Sequence, residues 1–253
     1  MLDQALLKKF APKPGRYPLM PELTPRANVA LLARILFDEG YDDHLAGHIS
    51  WKQQDGTLLM TPWELTWDEM TAADIIRVDQ QGKVIEGDWN VTPAVPLHLE
   101  IYQRRTDVNV IIHNHPRWSS VFAGLHQTPQ IFDQTAAQVN GDIAFFNEYE
   151  GTVNQSNEAA ATATALGNAK WAILANHGAV VTAKNIRQAY LRAMTLEMRC
   201  RLAWHVRCVG EGEAIAAEVA DKTGAMIDAS GFPFLWEAMV RRALRKDGTI
   251  LAE

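Results

Sequence analysis

The chain has 253 residues, 47% of them hydrophobic, which is enough for one well-buried domain. Its net charge of -6 argues against a nucleic-acid or polybasic membrane role, and no apolar run approaches the roughly 20 residues of a membrane span. Met1-Leu2-Asp3-Gln4 lacks the basic and apolar regions of a secretory signal, and Cys200 and Cys208 are the only cysteines, so a reduced, cytoplasmic chain is expected.

Residues 1–23 carry Pro12, Pro14, Pro18 and Pro21 and read as an arm ahead of a single domain over 24–253. Thr24-Pro25 starts a helix, with a capping hydroxyl followed by a ring suited to the first helical position. The helix covers 26–38, places Val29, Leu32, Ile35 and Leu36 on one side, and stops at Gly40. Segments 46–53 and 57–60 flank Asp55-Gly56 as a hairpin; 75–79 and 83–86 flank Gln80-Gln81-Gly82 as another. A helix over 93–105 turns Leu97, Ile101 and Tyr102 inward, 107–112 is a buried strand, and 116–122 is a short helix. A strand at 143–146 and an alanine-rich helix at 157–167 follow, then a hairpin of 171–175 and 179–182. A long amphipathic helix over 184–209 and helices over 213–222 and 232–245 complete the chain. On that long helix the two cysteines stand about 12 Å apart, too far for a disulfide. Hairpins with covering helices imply an α/β fold, a three-layer α/β/α sandwich around a mostly antiparallel central sheet.

Val110-Ile111-Ile112-His113-Asn114-His115-Pro116 carries the chemistry. Histidines two apart at the end of a β-branched run put both rings on one strand face, and Pro116 ends the ladder. A third histidine lies in Asn176-His177-Gly178, between two apolar runs. Taken separately, His-x-His is more often surface or core, and Asn-His-Gly is ordinary turn chemistry, because Asn and Gly tolerate positive φ. Together, three imidazoles presented from strand ends can hold one metal ion and leave positions open for a substrate. Trp63 and Trp67, in a loop-like segment, offer an aromatic pocket wall beside the alternative of plain core packing.

Ala46-Gly47-His48-Ile49-Ser50, Met60-Thr61-Pro62, Ile101–Val108, His113-Asn114-His115-Pro116 and Ala175-Asn176-His177-Gly178 resemble, in order and spacing, the class II aldolase/adducin family over about residues 25–205. The resemblance implies an α/β/α sandwich, a homotetramer with sites between subunits, and His113, His115 and His177 as metal ligands. In the family's sugar-phosphate aldolases the metal is a Lewis acid that stabilises an enediolate. The same electron sink suits decarboxylation. The resemblance points to a divalent ion, zinc first, with Fe(II) or Mn as alternatives.

The departures narrow the function. Where those aldolases carry phosphate-binding serines and a general-base glutamate, four residues before a helical histidine, this chain has Val91-Thr92-Pro93-Ala94 ahead of His98. A second phosphate element, Thr-Pro-Ser-Gly, becomes Thr61-Pro62-Trp63-Glu64, whose bulk and charge oppose phosphate. Gly-Asn-x-Ser becomes Gly47-His48-Ile49-Ser50, and the aldolase acid tyrosine has no counterpart near Asp133-Gln134. The pattern resembles the adducin-like branch, which includes decarboxylases, a few iron oxygenases and non-catalytic domains. The 82–89 segment and Ala94 look especially like the oxygenase group.

The leading expectation is therefore a metal-dependent carbon–carbon lyase, of decarboxylase or retro-aldol type, on a non-phosphorylated oxo or hydroxy acid, aromatic acids among the candidates. His98 is the candidate proton shuttle. Gly47, His48, Ser50, Trp63 and Glu64 are the candidate substrate contacts. An Fe(II) oxygenase on an aromatic 2-oxo or 2-hydroxy acid is the first alternative. The second is an interaction domain without chemistry.

Overall fold

A computed structural model describes residues 20–148, 156–232 and 234–253, so most of the proline-rich arm lies outside the described residues. Helix α1, Pro25–Asp38, begins as the sequence requires: the Thr24 hydroxyl accepts from the Ala27 N–H at 3.1 Å. Gly40 follows at φ +98°, a backbone state that favours glycine and turns the chain toward the sheet.

Among the described residues, eight strands form one sheet: β1 His48–Lys52, β2 Leu58–Met60, β3 Ile76–Val78, β4 Val84–Glu86, β5 Val110–Asn114, β6 Ile143–Phe146, β7 Trp171–Leu174 and β8 Gly178–Ala183. Their order is β4-β3-β2-β1-β5-β8-β7-β6. Every pairing is antiparallel except β6 with β7. The helices are α2 Val95–Arg104, α3 Arg117–Leu125, α4 Ser156–Leu166, α5 Ile186–Val209, α6 Ala217–Ser230 and α7 Leu235–Lys246.

Strand alternation splits the core between two faces. Ile49, Leu59, Val110, Ile112 and Val181 pack with α1, α5 and α7. Leu58, Met60, Ile111 and Val180 pack with Leu97 and Ile101 of α2 and Ala159 and Ala163 of α4. The result is the expected α/β/α sandwich. His48, Ser50 and His113 share the parity of Ile111, so they face α2.

Three elements differ from expectation. The strand expected at 107–112 is displaced to Val110–Asn114, because β8 continues the ladder through His113↔Val180 and Asn114↔Ala179. The helix expected at 213–222 runs instead from Ala217 to Ser230. Its predicted first turn is not helical, and the Ile215 N–H bonds instead to the Ile131 carbonyl at 2.7 Å. It continues past Lys222 through Gly224, where an added Cβ would lie 2.4 Å from the Asn140 nitrogen, so packing overrides glycine's low helix propensity. Trp67 is a core residue rather than a pocket wall; it is 2% exposed and stacks on Tyr41. Both cysteines lie on α5 and are free. Among the described residues, no helix is long and apolar enough to cross a membrane.

Candidate metal centre

β5 lies between β1 and β8, and this places the histidines together. His113 pairs across the ladder with His48 on one side and with Val180 on the other. The β7–β8 turn carries Asn176 at φ +52°, the left-handed state that asparagine tolerates. The His177 N–H closes the turn on the Leu174 carbonyl at 3.1 Å, and the Asn176 N–H ties it to the Ala123 carbonyl near the end of α3 at 3.2 Å. Gly178 is required next. An added Cβ would meet the Asn114 carbonyl oxygen and the His115 ring, each at 2.5 Å. With no side chain there, the ligand atoms of His113, His115 and His177 all lie within 4.8 Å of one another.

Their electrostatics suit a cation. His115 Nδ1 lies 2.6 Å from Asp43 Oδ2; a carboxylate only accepts, so Nδ1 carries the proton and Nε2 keeps its lone pair. That Nε2, and His113 Nδ1, are buried without a hydrogen-bond partner among the described residues. A buried polar atom left this way costs about 1–3 kcal/mol, which coordination to a metal would relieve. Burial pushes His113 well below the usual imidazole range, and the neighbouring histidines push the same way. Burial, then His115, lowers His177 to about 4. Both rings are neutral at pH 7. The donor set fits a divalent ion such as zinc or iron. Ala94, at the N-cap of α2, adds no ligand.

Behind the triad a second pair of histidines closes on itself. The His48 and His113 ring centroids are 4.8 Å apart. His48 Nδ1 lies 2.6 Å from His98 Nε2, and His98 Nδ1 lies 2.6 Å from Ser50 Oγ. Ser50 Oγ in turn meets the Tyr102 hydroxyl at 2.8 Å. Spacing explains the match: His48 and Ser50 are two apart on a strand, while His98 and Tyr102 are four apart on a helix, so each pair spans a similar length. His98 is 0% exposed, and burial lowers it to about 3. Both its ring nitrogens bond to protein groups, so the candidate proton shuttle stands one residue removed from the triad.

The other candidates divide. Gly47 is needed for packing: an added Cβ would lie 1.9 Å from Asn114 Nδ2, and the Trp67 indole N–H donates to the Gly47 carbonyl at 3.1 Å. Trp63 is 47% exposed and joins Asn90 through its backbone N–H. The Glu64 carboxylate accepts from the Asn90 backbone N–H at 3.1 Å and from its side chain. Partial desolvation raises Glu64, but these bonds outweigh it and hold the carboxyl below its usual range, which suits a fixed anion better than a proton donor. Neither residue bonds to the histidines among the described residues. Asp43 was not anticipated: it lies 72 positions from His115, and no spacing marks it.

Residues 27–204 match the Class II Aldolase and Adducin N-terminal domain family. The chain belongs to the class II aldolase and adducin family. It is 30% identical over 196 residues to Decarboxylase NovR of Streptomyces niveus, covering 76% of this chain and 72% of that one. It is equally similar, at 30% over 196 residues, to the 4-hydroxy-3-prenylphenylpyruvate oxygenase/4-hydroxy-3-prenylbenzoate synthase of Streptomyces roseochromogenus subsp. oscitans, covering 76% and 70%. Among solved structures, the L-fuculose 1-phosphate aldolase from Glaciozyma antarctica PI12 superposes with a TM-score of 0.79 at 23% identity, over 93% of this chain and 98% of that one. That likeness concerns the fold.

Proposed function

We propose that this protein is a metal-dependent carbon–carbon lyase of decarboxylase type, acting on a non-phosphorylated, hydroxylated aromatic or oxo acid. The observation that carries the reading is the pairing of a complete triad with missing aldolase parts. His113, His115 and His177 converge, with His113 Nδ1 and His115 Nε2 orphaned among the described residues, while Pro93, Ala94, Trp63 and Glu64 stand where the aldolases bind phosphate and abstract a proton. The similarity to a decarboxylase supports the same reading.

His113, His115 and His177 would hold the ion, with zinc the first choice, and Asp43 would orient His115. A divalent cation held there supplies a Lewis acid that draws electron density from the oxygens of a chelated acid. The exposed indole of Trp63 is available to an aromatic ring, and Glu64 adds negative charge that disfavours phosphate. His98 acts through His48 rather than on the substrate itself. A cytoplasmic homotetramer with sites between subunits completes the reading, and light scattering tests the assembly.

The equal similarity to an aromatic-acid oxygenase supports a second reading, with Fe(II) on the same histidines. Metal analysis of the purified protein, followed by oxygen uptake and CO₂ release with hydroxylated aromatic acids and aromatic 2-oxo acids, separates the two. The lyase reading expects CO₂ release without oxygen consumption. Stoichiometric iron with substrate-dependent oxygen uptake would overturn it in favour of the oxygenase. A protein that binds no metal would sink both.

A further inference from the structure

The direction of the hydrogen-bond chain behind the triad follows from one hydroxyl. The Tyr102 oxygen lies 2.9 Å from the Asn109 carbonyl and 3.1 Å from the Ser50 carbonyl. Carbonyl oxygens only accept, so the single phenolic hydrogen turns toward them. Ser50 Oγ, 2.8 Å away, must then donate its own hydrogen to Tyr102. Having spent it, Ser50 can only accept from His98, so His98 Nδ1 carries a hydrogen. His98 is buried and neutral, so its Nε2 is bare and accepts from His48 Nδ1. The proton of His48 is therefore fixed on the side facing α2. The opposite ring nitrogen, Nε2, keeps a lone pair and points away from His98, on a ring packed against His113.

We propose that His48, locked in its Nδ1–H tautomer by the Tyr102–Ser50–His98 chain, is a specificity residue that accepts a hydrogen bond from a substrate hydroxyl beside the metal triad. The inference rests on the proposed function for its acid substrate, and it adds the requirement of a donor. A carboxylate, which only accepts, is the wrong group for this nitrogen. The hydroxyl-bearing side of a hydroxy acid is the right one, and methylating that hydroxyl removes the donor. His98, Ser50 and Tyr102 are positioning residues that act through His48.

Two measurements on the zinc-loaded full chain test it. Nitrogen-15 histidine NMR, with the His48 signals assigned by their loss in His48→Gln, reads the tautomer directly. Nδ1 is expected protonated and Nε2 bare in the parent protein, with the order lost in Tyr102→Phe and Ser50→Ala, where the chain is free to reverse. A protonated Nε2 in the parent protein overturns the proposal. Calorimetric binding of 3,4-dihydroxybenzoate and its two monomethyl ethers then reads selectivity. The diol is expected to bind about tenfold more tightly than the weaker ether, roughly the worth of one hydrogen bond. That preference should fall below about threefold in His48→Phe at unchanged zinc content. If the full preference persists in His48→Phe, chelation alone explains it and the proposal fails. Loss of zinc in His48→Phe also overturns it, by making Nε2 a ligand. If none of the three acids binds, the aromatic-substrate reading fails, while the nitrogen shifts still decide the tautomer and with it the inference.

Discussion

Five histidines meet at the end of β5, yet they form two groups with opposite economies of hydrogen bonding. His113, His115 and His177 converge, and the described residues leave His113 Nδ1 and His115 Nε2 unpartnered. His48 and His98 satisfy one another and hand the chain on to Ser50 and Tyr102. Burial lowers the pKa of His113, His177, His48 and His98 alike, so the difference lies in where the lone pairs go. Unpaired nitrogens invite a cation from outside, whereas paired ones fix orientation. Residue type and burial alone would assign both groups the same role.

The largest expected effect breaks the comparison directly. His113→Ala, His115→Ala and His177→Ala should each lower metal affinity by more than the roughly 10–100-fold that loss of an outer partner costs. His98→Ala should leave metal content unchanged in elemental analysis of the folded protein. Equal loss from both groups would erase the distinction. Acid comes next. Imidazoles of the unfolded chain titrate near 6.5, whereas folded His98 and His177 titrate at about 3 and about 4. The unfolded state therefore binds more protons in that interval. Metal-free stability should fall as pH drops below about 6.5, with His98 contributing up to about 1.4 kcal/mol per pH unit until about 3. Urea melts across that range check it, and a flat profile would contradict neutral buried rings. Asp43→Asn removes the fixed anion behind His115 and should weaken zinc binding by about 10–100-fold in competition with a chromophoric chelator. The smallest effect is Tyr102→Phe. It deletes one buried hydroxyl and should cost about 1 kcal/mol in a chemical melt with metal affinity intact.

Much of this architecture was legible from local pattern. Thr24-Pro25, Asp55-Gly56 and Asn176-His177-Gly178 each signal a turn or cap through backbone chemistry, and each element formed close to its expected bounds. The His113/His115 spacing and the hairpin around His177 indicated the triad, because strand alternation and turn geometry are local properties. What escaped was set by distant packing. Asp43 reaches His115 across 72 positions. Trp67 was read alongside Trp63 because both are indoles in one loop, yet contact with Tyr41 and Gly47 buries the first while the second stays exposed. The start of α6 was misplaced because Ile215 pairs with Ile131, a contact no helical propensity encodes. The mutual contact of His48 and His98 depended on a helix crossing a strand at matched pitch, visible only after both had been placed.

The pairing of His48 with His113 has a consequence for assembly. A slip of β1 by one residue would turn His48 and Ser50 to the opposite side of the sheet and bring Ile49 against α2. A slip of β8 would carry His177 out of reach of β5. β8 must therefore be in register with β5 before three nitrogens can close on one point, and β1 before His48 stands beside them. Cation uptake during refolding would then report the completed alignment of β5 with β8, strands far apart in the chain, later than any signal from helix formation.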